Sequence, residues 1–128
     1  MKNYTLYPTL KEALYLHQQL IERFGGLPGV RDLGLLESAL ARPQSGYYKT
    51  VFEQAAALMQ SLARNHAFID GNKRISFSIS AIFLRMNGYR LKVDAGNGES
   101  FLTEKVVKNQ AEIETITKWL EECSKALS

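Results

Sequence analysis

The chain has 128 residues, with 16 lysines and arginines against 13 aspartates and glutamates, 45% hydrophobic residues and one cysteine. A length near the commonest domain size predicts one compact unit over residues 1–128, with one core and no separate regulatory domain. Hydrophobic content of this order with only three prolines excludes a disordered or collagen-like chain, and Cys123 alone can build neither a disulfide framework nor a cysteine-based zinc site. No apolar run approaches the roughly 20 residues of a membrane span and no signal-peptide core opens the chain, so a cytoplasmic protein without membrane association is expected. The formal charge of +3 is too small to imply nucleic-acid binding, but its distribution is uneven: residues 1–98 carry 12 bases and 7 acids, residues 99–128 carry 4 bases and 6 acids.

Thr9 and Glu12 have the spacing of a capping box, and Leu10, Ala13, Leu14, His17, Leu20, Ile21 and Phe24 then recur at helical intervals until Gly25-Gly26. His17, on this stripe, reads as a hydrogen-bonded core residue. Residues 27–31 form a loop, after which Asp32 can cap a short helix carrying Leu35, Leu36, Ala39 and Leu40 and closed by Pro43. Residues 42–50 lack periodicity and carry Tyr47 and Tyr48, which mark a surface loop. Thr50 and Glu53 repeat the capping box ahead of Phe52, Ala55, Ala56, Met59, Leu62, Ala63 and His66, placing His66 at the C-terminal end of that helix.

Residues 72–87 are apolar on almost every side, the mark of a helix surrounded by others, and Asn87-Gly88 stops it. Tyr89, Leu91 and Val93 predict an extended connector or a minimal strand. Helices over about 98–108 and 111–127 finish the chain, the last with Ile113, Ile116, Leu120, Cys123 and Leu127 inward. The sum is an all-α fold, a compact bundle of about six helices.

Between the third and fourth helices lies Arg64-Asn65-His66-Ala67-Phe68-Ile69-Asp70-Gly71-Asn72-Lys73-Arg74. Gly71 and Asn72 open a helix whose first-turn N–H groups and macrodipole favour an anion, and glycine admits it close to the backbone. Lys73 and Arg74 oppose that dipole, a local cost that suggests a negatively charged ligand. Asp70 can hold Mg²⁺ bridging phosphate oxygens, His66 can take a proton from an attacking hydroxyl, and Phe68 anchors the turn on the core. No Walker A loop, kinase motif, recognition-helix pattern or concentrated basic stripe is present in the sequence, so direct DNA binding is not expected.

The run from His66 to Arg74 resembles the HxFx(D/N)xNKR signature of the Doc ("death on curing") toxins, a branch of the Fic superfamily. Gly25-Gly26-Leu27-Pro28-Gly29-Val30-Arg31-Asp32 and Leu36 to Gln44 are also similar to the Doc N-terminal region. The resemblance implies the Fic/Doc fold and transfer of the ATP γ-phosphate to a protein hydroxyl. By carry-over His66 is the general base, Asp70 the Mg²⁺-associated carboxylate, and Gly71, Asn72, Lys73 and Arg74 the phosphate binders, with Arg64 and Ser78 possible additions. In Fic proteins proper, which transfer AMP, a glycine stands where this chain has Lys73. Gly71, where the best-known Doc motif has alanine, leaves AMP transfer open, and the second Fic arginine falls at Phe77.

No glutamate precedes a glycine or asparagine, so the self-inhibitory motif of Fic proteins is missing. The resemblance instead implies restraint by a Phd-like antitoxin, whose C-terminal helix would need an apolar groove with a basic rim. It names a threonine of elongation factor Tu as target, and the loop at 42–50 is the expected surface for aligning it. An inactive antitoxin-binding co-repressor, touching DNA only through the antitoxin, is the alternative of a different class.

Overall fold

A computed structural model of the chain describes residues 4–127; part of the N-terminal stretch read for a signal peptide, residues 1–3, lies outside the described residues. Helix α1 spans Leu10–Phe24, and its capping box is formed reciprocally: the Glu12 N–H donates to Thr9 Oγ1 at 3.1 Å and the Thr9 N–H to Glu12 Oε1 at 2.9 Å. Helix α2, Leu33–Ala41, starts on Asp32, whose carboxylate accepts from the Leu35 N–H, and runs into one 3₁₀ turn at Arg42–Gln44 where Pro43 is buried. Helix α3, Val51–Arg64, opens with the second capping box, of Thr50 and Glu53.

Helix α3 is the core element. Every residue from Gln54 to Met59 is buried, as are Leu62 and Ala63, because the sides facing α2, α4 and α6 leave almost no free surface. The run Ala55-Ala56-Ala57 lets neighbouring helices approach closely. Helix α4, Asn72–Met86, packs along α3, and the buried Ser76 hydroxyl ties the two by donating to the Met59 carbonyl at 2.8 Å. The helix expected to be surrounded is therefore less enclosed than its neighbour: Ile82 of α4 remains 41% exposed and Met86 half-buried, on a side left open beside α1.

Beyond Asn87, which ties the end of α4 to both backbone groups of Leu6, the chain forms strand β1 at Tyr89–Leu91. It pairs antiparallel with β2, Ser124–Ala126, in the register Tyr89↔Ala126, Arg90↔Lys125 and Leu91↔Ser124. The last helix, α6, thus covers Ile113–Cys123 and stops short of the expected 127. The open backbone of β1 captures the chain: Lys92 N–H donates to the Cys123 carbonyl and Leu127 N–H to that of Gly88. Leu127, expected inward, is 45% exposed. Helix α5 begins earlier than expected, at Ala95, since Asp94 caps it through the Asn97 N–H; it runs to Phe101 and continues as a π-helical segment, Leu102–Lys108.

Gly98 makes α5 fit. A Cβ built there would lie 2.2 Å from the ring of Phe77 on α4, far inside van der Waals contact. Gly98→Ala should therefore cost roughly 1–3 kcal/mol by overpacking and lower the melting temperature by several degrees, measured by thermal denaturation. An unchanged melting temperature would mean that α5 does not seat on Phe77.

Candidate active site

The stretch Asn65–Gly71 leaves α3 and enters α4 as a tight, fully tied loop. Phe68 is buried at its centre, in an isolated bridge with Val30, and the Ile69 N–H donates to the Gly29 carbonyl at 3.1 Å. The Asn72 carboxamide closes the loop from the other side: its Oδ1 accepts from the Phe68 N–H and its Nδ2 donates to the Phe68 carbonyl, both at 3.0 Å. The His17 ring stacks on Phe68 with centroids 3.8 Å apart and planes 11° apart. Its Nε2 lies 2.8 Å from the Asp70 carbonyl. A carbonyl only accepts, so Nε2 carries the hydrogen. His17 is thus the hydrogen-bonded core residue that its stripe suggested, and it supports the loop directly.

Asp70 is exposed, yet both its oxygens are used: Oδ2 accepts from the Leu27 N–H at 3.0 Å and Oδ1 from the Gly71 N–H at 2.8 Å. These backbone donors, Leu27 first, then Gly71, with the charges of His17 and Arg74 behind them, hold its carboxyl below the usual aspartate value of 3.8. Gly26 permits the contact, because a Cβ there would stand 2.9 Å from Oδ2 and its φ of +114° suits only glycine. Gly71, at φ +74°, is the left-handed N-cap of α4.

No side chain caps α4 and no acid stands in its first turn, so the leading N–H groups face a cleft of about 410 Å³. His66, Asp70, Gly71, Asn72, Lys73 and Arg74 all line it, with Glu99 and Val107 on the opposite wall. His66 lies beyond the end of α3 rather than in it, in a left-handed conformation with φ +52°. Its imidazole is exposed and, among the described residues, has no hydrogen-bond partner. Lys73 is exposed and has no ion-pair partner among the described residues. Arg74 is held between Glu99, at 3.4 Å, and the face of Phe24, with its guanidinium carbon 4.4 Å from the ring centroid.

Several expected members are elsewhere. Arg64 does not join the other cations: it donates to the carbonyls of Val106 at 2.8 Å and Ala111 at 2.7 Å, fastening the π-helical segment. Burial, and next the charge of Arg42, lowers its pKa. Ser78 is half-buried on α4 outside the cleft lining. The Asn72 side chain is spent on Phe68, leaving only its main-chain N–H for an anion. The 42–50 loop contributes nothing to the cleft; Tyr47 is 79% exposed, while the Tyr48 hydroxyl accepts from Arg42 at 2.9 Å. Phe24, expected inward, is 53% exposed and serves Arg74 instead. Glu99 and Arg31, which donates to the carbonyls of Asn65 and His66, have no sequence signal because their partners lie 25 to 35 residues away.

Among the described residues no group of three or more histidine, cysteine or carboxylate side chains could hold a metal by itself. Asp70 is the carboxylate free of a cationic side-chain partner on the cleft, and one carboxylate suits Mg²⁺ only where phosphate oxygens and water complete the shell. No described helix is long and apolar enough to cross a membrane.

Residues 7–84 match the sequence model of the Fic/DOC family. The match takes in α1 to α3, most of α4 and the whole turn from His66 to Arg74, and this chain belongs to the Fic/Doc family. Within that family it is similar to Doc proteins. It is 50% identical over 76 residues to Toxin Doc of Mycolicibacterium smegmatis, covering 56% of this chain and 58% of that protein. It is 38% identical over 85 residues to Protein kinase doc of Escherichia phage P1, covering 63% of this chain and 68% of that one.

Two outcomes test the loop. Asn72→Ala strands the Phe68 N–H and carbonyl and should destabilise the fold by roughly 1–3 kcal/mol in denaturant titration. Asp70→Asn cannot accept at both oxygens. Because the folded carboxyl titrates below its ordinary value, the stability it supplies is full above pH 3.8 and is lost as pH falls through the lowered folded value. The melting-temperature gap between wild type and Asp70→Asn should therefore be constant at neutral pH and close only in strong acid. A gap that closed near neutrality would exclude this role for Asp70.

Proposed function

We propose that this protein is the toxin of a toxin–antitoxin pair, a protein kinase that moves the γ-phosphate of ATP onto a threonine of elongation factor Tu and so arrests translation in the cytoplasm. The observation that carries the reading is the sharing of one cleft by His66, whose imidazole has no partner among the described residues, and the N-terminus of α4, which no side chain caps. His66 accepts the proton of the target hydroxyl as its oxygen bonds to the γ-phosphorus, and the bond from that phosphorus to the bridging oxygen breaks to release ADP. The α4 amides, Lys73 and Arg74 bind and orient the phosphates. Asp70 would hold Mg²⁺, which when bound supplies charge neutralisation on phosphate oxygens.

Phosphate transfer is favoured over AMP transfer by two positions. Lys73 puts a long cation where Fic proteins keep a glycine, and Phe77, where they carry a second arginine, packs on Gly98 of α5. The name of the phage P1 relative, Protein kinase doc, agrees. The target is inferred from the family resemblance alone.

Restraint by a Phd-like antitoxin finds support in a groove of about 480 Å³ between α1 and α4, lined by the apolar Pro8, Leu16, Ile79, Ile82 and Met86 and by Tyr15, with Lys11 and Glu12 as its charged members. An apolar trough of this kind suits one face of an amphipathic helix. Its charged residues are one base and one acid rather than the expected basic rim, and Arg64 is not among them.

ATP labelled separately at the γ- and α-phosphates tests the chemistry. Label from the γ-position should reach elongation factor Tu and label from the α-position should not; the reverse would make the protein an AMP transferase. His66→Ala should lose at least about a hundredfold in kcat, as expected for a missing general base, and should no longer arrest growth.

A further inference from the structure

We infer that Arg31 is a positioning residue for His66, holding the backbone of the proposed base in the left-handed turn from which its imidazole reaches the cleft. This rests on the reading of His66 as the base.

Three successive carbonyls of the turn all accept from this one residue. The Arg31 guanidinium donates through its terminal nitrogen to Asn65 at 3.1 Å and through Nε to His66 at 2.5 Å, and its main-chain N–H donates to Ala67 at 2.8 Å. Asn65 is the C-cap of α3, so these carbonyls lie just where the intrahelical ladder has run out of donors. A planar guanidinium places two N–H groups in one fork and matches two neighbouring oxygens; an ammonium does not fix both directions at once.

The turn needs such a hold. His66 has φ +52°, and a residue with a Cβ stays in that region only where its surroundings over-determine it. In most catalytic constellations a third group orients the base by binding its ring. Here, among the described residues, nothing binds the imidazole, and its direction is inherited from the main chain. The flanking ties do not reach His66 itself. Asn65 takes the Ala67 N–H on Oδ1 and donates from Nδ2 to the Leu35 carbonyl, while Asn72 and His17 act on Phe68 and Asp70. The proposed phosphate-binding half of the cleft is built from α4 and, among the described residues, makes no hydrogen bond to Arg31. Loss of the fork should consequently disturb proton transfer and spare nucleotide binding.

The test compares wild type, Arg31→Ala, Arg31→Lys and His66→Ala in γ-phosphate transfer to elongation factor Tu, with backbone amide NMR spectra of each. Arg31→Ala should lose about tenfold or more in kcat, with the KM for ATP changed less than about twofold, and Arg31→Lys should fall between. The amide signals of His66 and Ala67 should move while those of Lys73 and Arg74 stay. If the wild-type chain labels no elongation factor Tu, the same ranking must appear in growth arrest at equal protein levels. A His66→Ala chain as active as wild type removes the function of His66 and the inference with it. An inactive His66→Ala beside Arg31→Ala with wild-type kcat overturns the inference alone. A lowered melting temperature with kcat unchanged would likewise leave Arg31 as a helix cap and nothing more. Should Arg31→Ala fail to fold, Arg31→Lys carries the same comparison.

Discussion

The site depends on the buried peptide of Phe68. Its N–H and carbonyl would be stranded in an apolar interior if the Asn72 carboxamide did not bind both, and an unpaired buried group of this kind costs about 1–3 kcal/mol. Because Asn72 also begins α4, that single side chain fixes the loop to the helix whose uncapped N-terminus lines the cleft. The Phe68 ring completes the arrangement by filling the core beneath His17, whose Nε2–H then satisfies the Asp70 carbonyl. An aromatic ring, an amide and an imidazole thus set the position of Asp70 against the α4 amides, with no direct tie to His66.

The second support comes from the loop after α1. Leu27, Gly29, Arg31 and Asp32 all bind the motif loop through main-chain groups, as donors from Leu27, Arg31 and Asp32 and as an acceptor at Gly29. The close approach demands Gly26, and it explains why the residues 25–32 and the motif share a family likeness although they lie far apart in sequence. Helix α2 is drawn into the same network, since its cap residue Asp32 donates its N–H to Ala67 and its Leu35 carbonyl accepts from Asn65.

Much of this was readable from local chemistry. Both Thr-x-x-Glu boxes, the Asp32 cap and the Gly25 stop set helix boundaries by contacts within four residues, and the structure realises each. What sequence order could not supply was direction and distance. Arg64 is two residues from His66 but its long side chain crosses to the carbonyls of Val106, in the π-helical segment, and Ala111, just beyond it. The end of α6 was misplaced because no glycine or proline marks it; strand β1, over thirty residues earlier, ends it by pairing. Asn72 was read as a ligand for phosphate because the polar side chain of a motif residue looks available until its partners are known.

The cations that do remain at the cleft differ in readiness. Arg74 is already engaged, yet both members of its pair with Glu99 are about one-third exposed at 3.4 Å, and such pairs contribute about 0–1 kcal/mol. A phosphate oxygen, bound by charge-assisted hydrogen bonds roughly twice as strong as neutral ones, competes well against that carboxylate. Phe24 beneath the guanidinium keeps Arg74 in place whichever partner it takes. Lys73 has no ion-pair partner among the described residues that an anion would have to displace. The modest net charge of +3 is therefore no measure of the field at the cleft, which a helix end, a lysine unpaired among the described residues and one weakly tethered arginine line together.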